Sequence, residues 1–492
     1  MLRISSRYLI VGLALLLAAM AQTPDDRWDR LEEKANTILK EISEGVLVGD
    51  SKKSAMMELL QENRLFLAEH PDNESAWLMS ASLCGQLGDD ECLDTSLRAI
   101  MRMNPRNVQA GLQWAAHYTN DNRLDRSLDV LNELLELNPT SLMFWNAWTI
   151  TATTHDPSLI QSRFRTLMID AASPERPIAF LTALQKSDPW TAADLGEQLL
   201  EWSPEHPDVL LCVARGLRSA NQFKSAADII KTMPAEMLKR PDVAYLHSDC
   251  LYADHRFQEA YDIMSSIDLD SIESKPGLAR RLKFMLPLRK QALDAWQREQ
   301  KLRTLQTNST DNPLVRITID GKPVELELFA GEAPNTVAAF LATARRGDYE
   351  QLPFMRIHTG FRSITGETSR SAPYTLPIEL DEDDSRDFFT GSVSMYMNNP
   401  ANPDSSTNQL CLYHFPAPHL NGTRNVFGRV TSGLDVVREM REGAVLESVE
   451  ILRAPEIPID PIVIDSSGTQ RPMSQVMNEL DGGTSQPGNA SP

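Results

Sequence analysis

The stretch 315-VRITIDGKPVELELF-329 decides the fold of the C-terminal part of the chain. Apolar and polar residues alternate on either side of Asp320-Gly321, and a period of two broken by Asp-Gly predicts a β-hairpin. Working outward, 334-PNTVAAFLATARRG-347 reads as a helix with Pro at its start and Gly just past its end. Short strands follow to about residue 430. A second helix is expected over 433-GLDVVREMREG-443, with strands near 446–453 and 461–465. Many short strands with two helices imply a closed β-barrel capped by those helices. The segment 468–492 is low in apolar residues and is expected to be disordered.

Upstream the period changes. Residues 301–313 are polar and are read as a linker. Across 22–300 apolar residues recur at three and four, as in 127-SLDVLNELLEL-137 and 225-SAADIIKTM-233, which predicts helices. A longer period lies above this one. Pro71, Pro105 and Pro139 are 34 residues apart, as are 207-PDVLL and 241-PDVAY. Phe223 and Phe257, and Ala226 and Ala260, share the same step. This spacing resembles tetratricopeptide (TPR) repeats, in which helix pairs stack because no pair can bury its apolar face alone. About six repeats are expected, with a break of phase over 156–205; the alternative is a helical bundle without repeats. The resemblance implies a solenoid whose groove binds a partner protein. With 301–313 as the boundary, fragments 22–305 and 312–470 are expected to fold separately.

The net charge of −20 and the lack of Lys/Arg clusters argue against nucleic acid as a partner. The opening MLRISSRYLIVGLALLLAAMAQ has arginines before an apolar run, then small residues. It reads as a signal peptide over 1–21, cut before Gln22. The mature chain is therefore expected to be exported, periplasmic or secreted, without stable membrane insertion. Cys84 and Cys92 suit either a disulfide across a helical hairpin or two buried thiols. Five scattered cysteines and no H-E-x-x-H or P-loop call for no metal and no cofactor. The acidic run 379-ELDEDDSRD-387 lacks the spacing and glycine of a calcium loop. Asn421-Gly422-Thr423 is a glycosylation sequon in form, and it falls where a tight turn is expected.

Five ordered blocks between 314 and 467 resemble the cyclophilins, the peptidyl-prolyl cis–trans isomerases. They are 325-ELELFAGEAPNTVAAFL-341, 354-FMRIHTGF-361, 391-GSVSMYM-397, 409-QLCL-412 and 418-PHLNGTRNVFGRV-430. The resemblance implies that Arg356 is the catalytic arginine and that Phe361 floors a proline pocket. It further implies that Gln409, Cys411, His419, Leu420, Ile364 and Met397 line the substrate site. The chemistry suits an arginine. Amide resonance puts ~18–20 kcal/mol in the way of rotation about X-Pro. No bond is broken, so the site needs only to favour the twisted amide, whose pyramidal nitrogen accepts a hydrogen bond.

Departures from the family pattern cluster at the same place. Ile364 stands for a usual Gln, Arg362 for Met, Tyr396-Met397 for Ala-Asn, Cys411 for Phe, Arg424 for His and His419 for Trp. On this reading Cys411 removes one aromatic wall, so that Cys411→Phe is expected to raise activity. Arg362 and Arg424 add positive charge suited to an acidic ligand. Two functions follow. One is an exported isomerase and folding helper acting on a proline-containing client held by the solenoid. The other is a catalytically weak or inactive peptide-binding scaffold.

Overall fold

The computed structural model describes residues 26–170, 172–268, 276–306, 311–367, 374–380, 385–454 and 460–482. The proposed signal peptide, residues 307–310 of the linker, residues 381–384 of the acidic run and the end of the tail from 483 lie outside the described residues. The chain divides into two compact units at Asp188/Pro189, inside the stretch where the repeat loses phase.

The first unit is helical, and its sequence period reappears as a period of helix caps. Asn73, Asn107 and Ser141 each accept a hydrogen bond from the backbone N–H three residues on, at Ala76, Ala110 and Phe144. These caps open the helices Glu74–Leu87, Val108–Asn120 and Leu142–His155, each two residues after a proline of the 34-residue series. Trp77 and Trp145 donate their indole N–H to the carbonyls of Pro71 and Pro139, tying each helix back to its turn. Glu74–Leu87 packs on its successor Asp90–Met103 and Val108–Asn120 on Leu124–Leu137, whereas Leu142–His155 packs chiefly on Glu175–Ser187 rather than on its own successor Ser158–Ile169. Gly111 makes room for the next pair, since a Cβ there would lie 2.9 Å from the Phe144 ring. Cys84 and Cys92 form a disulfide between the helices Glu74–Leu87 and Asp90–Met103.

The second unit joins more helices to a barrel. The helices before the barrel are Pro189–Trp202, Pro207–Ser219, Phe223–Lys231, the short Ala235–Leu238, Pro241–Ala253, Phe257–Ser265 and the long Pro276–Gln306. The strands are β1 (Leu314–Ile319), β2 (Lys322–Leu328), β3 (Leu352–His358), β4 (Arg362–Thr365), β5 (Tyr374–Thr375), β6 (Ser392–Met397), β7 (Ser406–Tyr413), β8 (Gly428–Ser432), β9 (Val445–Arg453), β10 (Ile462–Asp465) and β11 (Gln470–Pro472). Eight of them close an antiparallel barrel in the order β1-β2-β8-β6-β7-β4-β3-β9, while β11-β10-β5 form a small separate sheet. The hairpin at Asp320-Gly321 forms in the expected register, Ile319 opposite Lys322. Val315, Ile317, Val324 and Leu326 point into a core completed by Phe340, Val393, Leu410 and Phe427. The two capping helices are Pro334–Arg345 and Leu434–Glu439.

Two expectations need correction. The segment from 468 is not disordered throughout, because β11 and the helix Met473–Gly482 lie within it. Met473, Val476 and Met477 are buried in the barrel core, three apolar residues at helical spacing in an otherwise polar stretch. Nor do the contacts divide at 301–313. The helix Pro276–Gln306 runs into that stretch, and the helices from 189 onward belong to one compact unit with the barrel. The joint is both apolar and polar. The Phe389 ring lies 4.9 Å from Trp296, and Phe415 lies 5.5 Å from Tyr252 and 5.6 Å from Phe223. The buried Arg386 donates to Glu299 at 3.0 Å, and Thr390 donates to the Ala253 carbonyl at 2.8 Å. Composition concealed this joint because its residues are scattered singly through helix turns and loops.

Candidate active site

Arg356 reaches the surface through an irregularity in β3. Strict alternation from the buried Phe354 would send Arg356 into the core as well. The pairing of β3 with β4 shifts register between these two residues, and Arg356 emerges exposed. A bulge re-aims a side chain in this way, and bulges gather beside functional sites. Its Nη1 donates to the Tyr396 hydroxyl at 3.3 Å.

After β3 the chain turns at Gly360, whose φ of +69° favours glycine. Phe361 follows, half-buried, with its ring 5.5 Å from His419 and 5.8 Å from Tyr413. Behind it lies an apolar bed on the outer face of the barrel, built from Ile364, Cys411, Leu420, Phe388, Tyr413 and Phe329. Along β7, Cys411 and Tyr413 face this bed while Leu410 and Leu412 face the core. Gln409 keeps a different task, donating its amide to the Thr365 carbonyl at 2.9 Å and tying β7 to the end of β4.

The structure thus brings Arg356, Phe361, Ile364, Cys411, His419 and Leu420 to one face, with Gln409 at its edge. Met397 does not join them. It is buried outside this cluster, and its neighbour Tyr396 packs against the bed instead. The register shift between Met395 and Met397 falls at this point and sets Tyr396, rather than Met397, against the bed. Tyr413 and Phe388 were also missed. Alternation from Gln409 through Cys411 points to Tyr413. Phe388 comes from an irregular loop with no local signal.

The space beside Cys411 is taken by a charge. Arg362 is buried, donates to the Tyr413 hydroxyl at 3.0 Å and lies 4.0 Å from the Cys411 sulfur. Its guanidinium carbon stands 4.9 Å from the Phe361 ring centre, 5.6 Å from Tyr396 and 5.8 Å from Tyr413, an aromatic box around a cation. Burial opposes the charge, while the Cys411 thiol and the Tyr413 hydroxyl offset it, and the net pKa is raised. Burial pushes the Cys411 thiol up to about 11, against the pull of Arg362 and Arg424. His419 is pulled below the ordinary histidine value by burial, then by Arg424 and Arg362, so it is neutral at pH 7. His414, wholly buried with one ring nitrogen on the Ser363 hydroxyl at 2.8 Å, is pulled down to about 3 by burial. That pair is structural, since it has no route to a ligand. Among the described residues no group of three His, Cys, Asp or Glu is placed to hold a metal ion.

The family model "Cyclophilin type peptidyl-prolyl cis-trans isomerase/CLD" matches residues 314–467. Peptidyl-prolyl cis-trans isomerase B of Bacillus subtilis is 38% identical over 136 residues, which are 27% of this chain and 92% of the relative. A peptidyl-prolyl cis-trans isomerase of Helicobacter pylori is 33% identical over 132 residues, covering 26% of this chain and 78% of its own. Among solved structures, a cyclophilin type isomerase of Cryptosporidium parvum matches with 21% identity and a TM-score of 0.27, over 29% of this chain and 99% of its own.

Proposed function

Because the chain belongs, through residues 314–467, to the cyclophilin-type peptidyl-prolyl cis–trans isomerases, we propose that it catalyses rotation about prolyl bonds in protein clients. The observation that carries this reading is the exposed Arg356 guanidinium, held by Tyr396 beside the half-buried Phe361. A proline ring resting on Phe361 and His419 brings its nitrogen toward Arg356. As the amide twists, resonance is lost and the nitrogen becomes an acceptor. A guanidinium already in place then binds the twisted state better than either planar form. Arg serves better than Lys here because its planar fork is oriented by a partner such as the Tyr396 hydroxyl.

The test is prolyl isomerisation by the full chain. Arg356→Ala should lower kcat/KM by roughly 10²–10³ with circular dichroism unchanged, and Arg356→Lys should recover little. Full activity in Arg356→Ala would reject the mechanism. One observation favours the second reading, of a peptide-binding scaffold with little turnover. Arg362 takes up room beside Cys411 that an apolar pocket would leave to proline.

The same proposal gives the helical repeats the task of holding a client or partner protein. Tethering raises the client's local concentration at a weak site. The basic and apolar opening segment supports export, and the Cys84–Cys92 disulfide fits an oxidising compartment. N-terminal sequencing of the exported chain should begin at Gln22; an uncut chain would reject cleavage. No helix among the described residues is long and apolar enough to cross a membrane.

A further inference from the structure

A groove of about 490 Å³ lies beside the candidate site, where the helix Pro276–Gln306 passes the barrel. The helix is anchored there by Trp296, 4.9 Å from the Phe389 ring, and by Glu299, which accepts from the buried Arg386. Ala292 and Ala295 are three apart and so share one helix face, where they leave the space that larger side chains would fill. Phe388, Phe389 and Pro418 form the opposite wall. The lining is mostly apolar and carries two carboxylates, Asp294 on the helix and Asp387 on the barrel.

The groove opens from the site already described. Phe388 belongs to the apolar bed, its ring 4.9 Å from Tyr413. Pro418 immediately precedes His419, whose ring lies 5.5 Å from Phe361. A polypeptide with its proline on Phe361 therefore meets the groove as it leaves that seat, advancing ~3.3–3.6 Å per residue if extended.

The partners of the two acids show what the groove accepts. Arg298 reaches Asp387 at 3.2 Å and Lys290 reaches Asp294 at 2.9 Å, both from the surface of the same helix. The Arg298 side chain is 75% exposed, whereas Asp387 is only 19% exposed. Ion pairs made by such exposed cations add little stability, so an incoming cation can displace them. Burial holds the Asp387 carboxyl above the ordinary aspartate range even with Arg298 beside it, so its charge is under-compensated. We propose that this groove is an extended subsite for the client, taking a Lys or Arg side chain a few residues from the proline. The aliphatic stem lies along Ala292 and Ala295, and the charged end meets Asp387 and Asp294. The proposal rests on the isomerase reading for the seat of the proline. It makes the helix a part of the site as well as its support.

The experiment uses the full chain and blocked peptides with one central Ala-Pro and a single Lys, Ala or Glu, placed about two to six residues from the proline on either side. Binding is measured by calorimetry or NMR titration, and turnover separately by NMR exchange. Where the side chain reaches the groove, the Lys peptide should bind about three- to tenfold tighter than the Glu peptide. Moving the Lys away should lose that gain. The side of the proline on which the gain appears gives the direction of the bound chain. Asp294→Lys should abolish the gap, and Asp387→Asn should reduce it. Asp294 is 59% exposed, so its variant decides the question if Asp387→Asn fails to fold. Arg298→Ala should widen the gap, because the competing cation is gone. Equal affinities at every position, a Lys preference indifferent to distance from the proline, or a gap untouched in Asp294→Lys would overturn the proposal. A position-dependent Lys preference without turnover of any peptide would uphold it and reject the isomerase reading.

Discussion

Cys411 and Arg362 show how two substitutions change each other's meaning. From the motif alone Cys411 is a missing wall, and restoring Phe should help. In the structure Cys411 has no exposed surface, and the Arg362 guanidinium lies 4.0 Å from its sulfur. A phenyl ring there has to displace the guanidinium or the bed. Cys411→Phe alone is therefore expected to destabilise the chain by about 1–3 kcal/mol and to lower activity. Arg362→Met with Cys411→Phe should recover both, a coupling that a double-mutant cycle in urea would read directly. A single Cys411→Phe variant as stable as the parent and more active would show that Arg362 does not occupy this space. Arg356 carries a related lesson. Its position in the motif was legible, but its exposure depends on a register shift that alternation does not foresee.

The turn 359–361 links Arg356 on β3 to Phe361, and a helix turn far away in sequence holds it. The Gly360 N–H donates to the Asn221 side-chain oxygen at 2.6 Å, and the Asn221 amide donates to the Arg438 carbonyl at 3.1 Å. Asn221 has φ +63° and His255, 34 residues on, has φ +62°, so the equivalent turn of two successive helix pairs meets the barrel side. His255 stacks on Trp296 at 4.4 Å and meets Phe389 at 6.3 Å. Asn221 acts through the turn and is a positioning residue. Asn221→Gly keeps the left-handed backbone at ease and removes only the side chain. It is expected to cost about 1–3 kcal/mol in stability for two lost hydrogen bonds. It should also reduce kcat/KM by about tenfold or more as Phe361 and Arg356 lose alignment. A stable Asn221→Gly variant with parental kcat/KM would mean that the helices support the barrel without tuning its site.

On the scale of the molecule, the division at Asp188/Pro189 changes which fragments should fold. Cutting at 301–313 would expose Phe389 and Phe415 and leave the buried Arg386 with Glu332 but without Glu299. The exposed rings and the lost hydrogen bond both weaken the isolated barrel. A fragment of residues 189–482 is therefore expected to unfold in one cooperative transition. A fragment of 312–470 should be markedly less stable, or require a partner, both read by thermal denaturation. Equal midpoints for the two fragments would restore the boundary at 301–313. Ending at 470 also deletes Met473, Val476 and Met477 from the core, so a 312–482 fragment separates the two effects.

Local pattern determined much of this protein. The 34-residue step, the Pro-x-Asn/Ser caps, the alternation through the Asp320-Gly321 hairpin and the ordered blocks from 325 to 430 are short-range signals. Their physics is contained within a few residues of chain: cap geometry, turn conformation and the period of a buried face. The site residues Arg356, Phe361, Ile364, Cys411, His419 and Leu420 are implied by the resemblance of those blocks to the cyclophilins, not by local physics. Tertiary structure decided the rest. Register shifts in β3 and β6 exposed Arg356 and exchanged Met397 for Tyr396. Packing moved the division of the chain to Asp188/Pro189 and drew the apolar face of Met473–Gly482 into the core. It also closed an aromatic box on Arg362 that no spacing announces. Each of these depends on contacts between residues distant in the chain, and a local pattern carries no information about which distant surface it will meet.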